Sequence, residues 1–295
     1  MKASDLKGMA LGLSFACPWM LGLLAFTLYP IVSSLLFAFC DYDVLSKPLW
    51  TGSANFDEML RDELFWKTLF NTFVFAAISI PLGLLVSLSV AVMLNAAVEC
   101  RSTYRVLFYL PSLAPAVATA MIWLWLFNGK FGLLNYILQA LFSIDGPNWL
   151  QEEAWTKPAL ALTTVWGVGN AIVIYLAALN EVPRHLYEAA EIDGASPLDK
   201  LVHITLPMIS PVIYFNLLMG IIGSLQTFAG PYILLPEGGP DRSALLYAVY
   251  LFENAFRFGK MGYACALAWV LFIIILALTW LAHRLSKRHV HYGGE

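Results

Sequence analysis

The amino-acid sequence predicts an all-α membrane protein with six transmembrane helices. Of its 295 residues, 60% are apolar and 13% are charged, and the mean hydropathy of +0.71 lies well above that of soluble domains. The charges are also segregated along the chain. Six runs without Asp, Glu, Lys or Arg each exceed the about 20 residues that a helix needs to cross about 30 Å of hydrocarbon; they are 8–40, 68–98, 106–129, 158–180, 201–236 and 261–282.

Helix one is expected over residues 11–38. It contains Pro18 and Pro30, and a proline inside a helix removes a hydrogen bond and pushes against the preceding turn. We therefore expect a kink or an early end near Pro30.

The same segment has some features of a lipoprotein signal. Lys2 and Lys7 precede an apolar stretch that reaches Cys17. The apolar run continues to Cys40, however, which is too long for the hydrophobic region of a signal, about 7–15 residues. We therefore expect an uncleaved membrane helix. The four cysteines have neither metal-binding nor redox spacing, so no metal site is expected.

The other five charge-free runs predict helices two to six. Helix three contains Pro111 and Pro115 near its start, and we expect it to form one span. A further apolar run, 131–144, is too short to cross a bilayer and contains polar residues, so it predicts an amphipathic helix at the interface. Helices two to six are expected over 68–94, 106–127, 158–179, 208–227 and 262–283.

The sequence divides into three regions. Residues 1–66 hold helix one and an outer segment, 67–285 form a core of five helices, and 286–295 form a basic tail. With six spans both termini share a side, and the basic tail favours the cytoplasm for that side. We expect a multi-pass protein of the bacterial inner membrane with both termini cytoplasmic. The net charge of −3 gives no indication of nucleic-acid binding.

The segment between helices four and five predicts a compact knob of two short helices. Pro183 suits the first turn of the first helix, and Gly194 suits a left-handed cap at its end. Ser196 is a typical N-cap for the second helix, with Asp199 three residues later. Pro207 is expected to start the next membrane span.

The same segment carries a longer pattern. Its positions are Glu188, Ala189, Ala190, Gly194, Ile204, Leu206 and Pro207. In residue type and spacing they resemble the EAA loop of binding-protein-dependent ABC importer permeases, the inner membrane components of such transport systems. The resemblance covers nearly the whole chain and is strongest to lactose or multiple-sugar permeases, within the carbohydrate family of maltose, lactose and glycerol-3-phosphate importers. Further positions that carry it include Tyr29-Pro30, Asn55-Phe56, Asn71-Thr72, Asn148-Trp149 and Gly238-Gly239-Pro240.

This resemblance implies the transmembrane domain of a type I ABC importer and a set of partners. A second permease subunit, favoured as a different chain, would complete the path. An ABC ATPase dimer would bind ATP and Mg²⁺, and an extracytoplasmic sugar-binding protein would deliver a carbohydrate. The chain itself has no phosphate-binding loop of the type Gly-x4-Gly-Lys-Ser/Thr. We therefore expect no cofactor and no catalytic residue in it.

The resemblance also assigns the knob to coupling with the ATPase. Glu188 is expected to pair with a basic residue of the ATPase, Gly194 to give the bend, and Ala189 and Ala190 to fill a cleft. The alternative for Glu188 is a solvated carboxylate. The full coupling set is Glu188, Ala189, Ala190, Asp193, Gly194, Ile204, Leu206 and Pro207.

A sugar path needs polar and small residues that face the bundle interior, because polar atoms that face lipid are costly. Helix four offers Thr163, Gly167 and Asn170 on one face, with Trp166 beside them for stacking on a sugar ring. In the related maltose-type permeases, substrate contacts fall on helices four and five. The alternative is helix packing, in which small polar residues are common. Helix five offers Asn216, Gly220, Ser224 and Thr227.

The outer segments 41–67, 128–157 and 229–260 are expected to receive the binding protein. The last of them predicts an amphipathic helix, which either packs on the bundle or touches that protein. The apolar positions with helical spacing are Leu245, Val249, Leu251, Phe252 and Phe256.

Two other functions are compatible with several membrane spans. A secondary transporter usually carries ionisable residues inside its spans, and none of the predicted spans contains Asp, Glu, Lys or Arg. An intramembrane enzyme needs a nucleophile beside a base or a metal motif such as His-Glu-x-x-His, and no such motif occurs. Both alternatives are therefore disfavoured.

Overall fold

The computed structural model describes residues 3–96 and 100–286. Two compact units are formed, one by Met1–Asp62 with Leu251–Phe272 and the other by Glu63–Tyr250 with Ile273–Glu295. Apart from Ser286, the predicted basic tail lies outside the described residues.

The described part of the chain is almost entirely helical, which confirms the predicted fold class. Its only strands, β1 (Cys40–Asp41) and β2 (Leu49–Trp50), pair antiparallel with Cys40 opposite Trp50. In chain order the helices are α1 (Ala3–Leu23), α2 (Tyr29–Phe37), α3 (Ala54–Arg61), α4 (Glu63–Asn95), α5 (Arg101–Tyr109), α6 (Ala116–Leu126), α7 (Leu133–Phe142), α8 (Glu153–Trp166), α9 (Gly169–Glu181), α10 (Arg184–Ile192), α11 (Pro197–Lys200), α12 (Leu206–Met208), α13 (Ser210–Leu225), α14 (Ala229–Leu234), α15 (Tyr247–Phe252) and α16 (Met261–Ser286).

Six stretches of the described chain are long and apolar enough to cross a membrane. Two are sharply bent pairs, α5 with α6 at 98° and α8 with α9 at 53°. The other four cover Gly12–Phe37 (α1 with α2), Glu63–Asn95 (α4), Ser210–Leu234 (α13 with α14) and Met261–Ser286 (α16). The predicted number of spans is thus reached only when each bent pair counts as one span.

In the first unit, the helix does not end near Pro30, which was one of the two expected outcomes, but it is distorted just before this residue. A π-helical turn, Leu24–Leu28, joins α1 to α2, and the helix continues through Pro30 to Phe37. In that turn the Tyr29 N–H donates to Leu24 O, five residues back. Proline has no N–H and presses on the carbonyl four residues before it, so the wider turn gives the ring room without ending the helix.

A buried asparagine organises the rest of the first unit. Asn55 on α3 donates to Ala38 O and to Cys40 O, both at 2.9 Å. At the start of α16, the Gly262 N–H donates to Tyr42 O at 2.9 Å. A Cβ on Gly262 would collide with Cys40 O, so only glycine permits this approach.

In the second unit, α4 begins at Glu63 instead of the expected residue 68. The additional turn is charged and therefore escapes a search for charge-free runs, although an acidic residue at a helix N-terminus is favourable. The predicted helix three is not continuous, because Ala114 and Pro115 are extended, with ψ of 137° and 140°. A proline disfavours the helical conformation of the residue before it, which explains the break.

The predicted helix four is also interrupted, at Gly167 and Val168 between α8 and α9. Glycine is a weak helix former. Gly167 lies in the interruption and Gly169 follows it directly. The short helix predicted over 131–144 is found as α7, and its interfacial position stays a prediction. Asn135 on this helix donates to Gly129 O and Pro147 O and accepts a bond from Trp149 Nε1 at 2.6 Å.

The outer segment after α14 contains the expected helix over Val249, Leu251, Phe252 and Phe256 but not over Leu245. α15 begins only at Tyr247, so Leu245 precedes it, and a π-helical turn follows as Glu253–Arg257. Leu245 and Val249 are buried while Phe256 is exposed. Burial of the first two side chains favours the packing interpretation for that part of the segment.

Candidate functional site

The knob consists of α10, α11, a π-helical turn (Leu201–Thr205) and α12. The predicted caps are confirmed. Gly194 has a φ of +78°, and the Ala195 N–H donates to Ala190 O at 2.9 Å, which satisfies the end of α10. Pro183 is the N-cap residue of α10 and not, as expected, part of its first turn.

The start of α11 is held by a capping box. Ser196 Oγ accepts from the Asp199 N–H at 3.2 Å, and the Ser196 N–H donates to Asp199 Oδ2 at 3.0 Å. The hydrogen bonds from Ser196 hold the pKa of the exposed Asp199 carboxyl below its usual value. Lys200 Nζ contacts Glu191 Oε1 at 2.7 Å, so α11 is also linked to α10.

The predicted coupling residues fall into two groups. Glu188, Ala189, Asp193 and Gly194 are exposed, and Ala190 is half-buried. Within the described residues, Glu188 makes no hydrogen bond or ion pair. The other three residues are half-buried, and two of them, Ile204 and Leu206, pack against a core of α4, α9 and Ile209. The third is Pro207.

Pro207 does not start the next span, which corrects the sequence-based expectation. It lies inside a helical stretch that continues to Met208, and α13 begins at Ser210 after a break at Ile209. The π-helical turn Leu201–Thr205 precedes Pro207 in the way that Leu24–Leu28 precedes Pro30. In both places the chain makes room for a proline inside a helix.

Four exposed, large apolar residues on the knob were not identified from the sequence. The side chains of Ile192 and Leu198 are 88% and 67% exposed, and Val202 and Met208 are also exposed. In the sequence each of them is only an apolar residue in an otherwise polar loop. Such a residue indicates a contact surface only when its side chain is known to be exposed. Exposed apolar side chains grouped on one protrusion are typical of a protein contact.

A central cavity of about 420 Å³ lies between α4, the α8–α9 junction and α13. None of the described residues that line it is charged. The residues predicted on helices four and five for the substrate path lie together here. Six of the eight line the cavity: Gly167, Asn170, Asn216, Gly220, Ser224 and Thr227.

Thr163 and Trp166 do not share this cavity, which contradicts the expectation of one continuous face. They line a separate side cavity of about 220 Å³, together with Trp123, Ser112 and Thr119. The 53° bend between α8 and α9 is the physical reason, because residues on either side of a bend lose the regular i, i+4, i+7 alignment. Gly167, at the bend, borders both cavities.

The polar side chains of the central cavity differ in whether they are already satisfied. Asn216 donates to Val212 O at 2.9 Å, Ser224 to Ile221 O at 3.2 Å, and Thr227 to Gly223 O at 2.8 Å. Asn170 is exposed to the cavity and has no hydrogen bond within the part of the chain that the structure describes. Its amide is therefore the group best placed to bind a polar solute.

One wall of the cavity comes from α4, which the sequence analysis did not include. Ser79, Gly83 and Ser87 line it at i, i+4 and i+8. The same signal, small or polar residues at helical spacing, had identified helices four and five. Helix two was not assigned to the substrate path because its few small and polar residues stand among many apolar ones.

The site therefore defines a class of protein: a membrane transport subunit whose helices line a largely apolar cavity with a few uncharged polar groups, and which carries a protruding knob. Residues 79–290 match the family described as the inner membrane component of binding-protein-dependent transport systems. The chain belongs to this family. It is a non-catalytic permease subunit of an ABC importer, in which a separate ATPase hydrolyses ATP.

Several characterised or named proteins are similar to the chain. "Probable ABC transporter permease protein YesP" of Bacillus subtilis is 39% identical over 287 residues, 96% of this chain and 93% of the relative. The lactose transport system permease protein LacF of Rhizobium radiobacter is 30% identical over 276 residues, 92% of each chain. The arabinooligosaccharides transport system permease protein AraP of Bacillus subtilis is 31% identical over 278 residues, 92% of this chain and 87% of the relative.

A solved structure has the same fold. A chain of a bacterial ABC transporter involved in the import of the acidic polysaccharide alginate superposes with a TM-score of 0.84 at 23% sequence identity, over 97% of this chain and 98% of that chain. This similarity supports the type I importer fold that the sequence resemblance implied.

Proposed function

We propose that this permease subunit conducts a carbohydrate through its central cavity. Relatives are named for lactose and for arabinooligosaccharides, and the cavity presents uncharged polar groups between apolar walls, as a site for a hydroxylated solute requires. The observation that carries the proposal is the convergence of Asn170, Asn216 and Thr227 on one cavity.

In this proposal the knob docks in a cleft of a partner ATPase, and the partner binds ATP and Mg²⁺. The exposed Glu188, Ala189 and Gly194 support this role, as do the exposed apolar side chains of Ile192 and Leu198. Because ATP is cytoplasmic, the knob and both termini would face the cytoplasm. A second permease subunit, a homologue of this one, would form the other half of the path, and an extracytoplasmic sugar-binding protein would deliver the solute on the opposite side.

The packing of the knob offers a route for the motion. Ile204 and Leu206 pack against the same core as Ile172 and Leu179 of α9. When ATPase closure displaces the knob, these contacts would carry the displacement into α9, whose first turn lines the central cavity. Rigid-body rotation of packed helices is the usual way in which such access alternates.

The experiment is uptake of radiolabelled sugar into proteoliposomes that contain the assembled importer and its binding protein. Asn170→Leu removes the unpaired amide, so we expect a higher apparent KM or a changed sugar preference, with ATPase co-purification retained. Asn180→Leu is the matched control, because the Asn180 amide only donates to Leu176 O in its own helix, at 2.7 Å. Unchanged uptake by Asn170→Leu across a panel of sugars would remove this residue from the path.

A further inference from the structure

A cavity of about 440 Å³ lies where α6 ends and α7 begins. Asn135 of α7 joins the two loops beside it, because its amide donates to Gly129 O before the helix and to Pro147 O after it, both at 3.1 Å. The Lys130 N–H donates to Asn128 Oδ1 at 3.0 Å, which fixes the first loop further. These bonds hold the cavity, here called the α6–α7 cavity, in shape without a ligand.

Two opposite charges line the α6–α7 cavity without meeting. The Lys130 ammonium and the Asp145 carboxylate are both exposed, and neither makes a hydrogen bond or an ion pair within the part of the chain that the structure describes. The other described lining residues are uncharged. A ligand with one anionic and one cationic group would be attracted at both ends, whereas a ligand of a single charge would be repelled by one of the two residues. The cavity is therefore suited to a zwitterion.

An exposed apolar stripe on α6 leads to this cavity. Val117, Met121 and Trp125 follow one another at i, i+4 and i+8, and their side chains are 55%, 60% and 58% exposed. Trp125 also lines the cavity. At a rise of about 1.5 Å per residue the stripe is about 12 Å long. It offers a hydrocarbon chain a continuous apolar contact that ends at the charged cavity.

The cavity lies at the end of a membrane span. α6 belongs to one of the six stretches that are long and apolar enough to cross a membrane, and this stretch ends at Leu126. Lipid head groups lie directly beyond the hydrocarbon, at the depth where tryptophan and tyrosine collect. A zwitterionic cavity joined to an apolar stripe matches a phospholipid, since a neutral sugar has neither the two charges nor a hydrocarbon chain.

We propose that the α6–α7 cavity binds the head group of phosphatidylethanolamine. Lys130 contacts the phosphate. Asp145 accepts hydrogen bonds from the ammonium, which also faces the Trp125 ring, and one acyl chain lies along Val117 and Met121. The bound lipid braces the half of the span that follows the 98° break. This inference goes beyond carbohydrate transport and does not depend on the transported solute.

The test uses the assembled importer, purified in detergent and freed of lipid. It is titrated with phosphatidylethanolamine and with phosphatidylglycerol that carry the same photoreactive acyl chain, and the crosslinked peptides are identified by mass spectrometry. We expect crosslinks within residues 116–126, and half-saturation by phosphatidylethanolamine at a concentration about two- to fivefold lower, the range of an exposed ion pair. An equal or reversed preference would overturn the proposal. So would the absence of crosslinks in 116–126, the result expected if a helix of a second subunit covers the stripe.

Variants separate the two charges. Lys130→Gln should weaken the binding of both lipids about two- to fivefold, whereas Asp145→Asn should weaken only phosphatidylethanolamine and so abolish the preference. Both side chains are exposed, so the variants should fold normally. The matched controls, Lys47→Gln and Asp41→Asn, change exposed residues outside the cavity and should bind both lipids as the unchanged protein does. Equal losses in the cavity variants and the controls would contradict the assignment.

Soluble competitors identify the source of the ligand. Glycerophosphoethanolamine carries the same two charges without acyl chains, and lactose represents a neutral sugar. Unlabelled phosphatidylethanolamine should remove the crosslinks to residues 116–126, while the same concentration of either soluble compound should leave most of them. Displacement by a soluble compound as effective as displacement by the lipid would overturn the proposal, because the acyl chain would then contribute nothing.

Discussion

Gly169 lies against Ser112 so closely that a Cβ on the glycine would be 2.9 Å from the serine hydroxyl oxygen. The same Cβ would lie 2.9 Å from Phe108 O. These residues belong to the two bent spans, α5 with α6 and α8 with α9, each near its break. The bends are therefore packed on one another, and glycine is the residue that permits the contact.

Gly169→Ala should destabilise the protein, because the added methyl group must push the backbone of α5 away. Overpacking of this kind typically costs about 1–3 kcal/mol, so the midpoint of thermal unfolding in detergent should fall by several degrees. Gly22→Ala is the control, since a Cβ at Gly22 meets nothing within 4 Å. That variant should match or exceed the unchanged protein, and equal midpoints for the two variants would contradict the close-contact explanation.

The two halves of the knob are joined by a hydroxyl pair. Tyr187 Oη on α10 lies 2.9 Å from Thr205 Oγ1, and Thr205 Oγ1 also lies 3.2 Å from Lys200 O. Because the threonine hydrogen points to that carbonyl, Tyr187 donates to Thr205. Tyr187→Phe removes one hydrogen bond, worth about 1 kcal/mol, and should lower sugar uptake per ATP hydrolysed. Tyr136→Phe, at an exposed position on α7, should leave this ratio unchanged; a ratio unaffected by Tyr187→Phe would show that the link is dispensable.

Substitutions of Gly194 separate two possible reasons for glycine at the bend, its backbone conformation and the space around it. A Cβ at Gly194 meets nothing within 4 Å, but φ is +78°. Gly194→Val should therefore abolish uptake through backbone strain of about 1–3 kcal/mol, while Gly194→Asn should keep most of it, because asparagine tolerates the left-handed region. Membrane insertion of both variants is checked by surface labelling. If both lose uptake equally, strain at this position is not the cause.

Asn71 of α4 forms hydrogen bonds with the backbone of the segment that precedes α15. It is 2% exposed, and its amide donates to Arg242 O at 3.0 Å and to Leu245 O at 3.2 Å. Asn71→Leu should leave Leu245 O without its donor, at about 1–3 kcal/mol, while Arg242 O keeps a bond from the Leu245 N–H at 3.2 Å. The unfolding midpoint should fall clearly. Asn180→Leu loses only a bond within its own helix and should change the midpoint little. A small effect of Asn71→Leu would mean that water or another group replaces the amide.

Local chemistry made much of this structure predictable. The cap at Gly194, the Ser196–Asp199 box and the short helix α7 depend on neighbouring residues, and all three were predicted. The apolar runs likewise predicted the spans, since the membrane imposes a length and a composition on each one separately. The exact outcome was not predictable at Pro30, Pro115 and Gly167, because a helix breaker at each of these places had several possible effects. Packing decided among them: a π-helical turn, a 98° break and a 53° bend.

By itself, the sequence determined the membrane class, the six apolar stretches and the knob, because hydropathy and capping act over one turn or one span. Only the tertiary structure decided which polar residues share a cavity. It separated Thr163 and Trp166 from Asn170, and it brought Ser79, far away in the chain, to the same wall as the start of α9. A cavity is formed by several helices at once, so its composition depends on their packing and bends, which no single segment encodes.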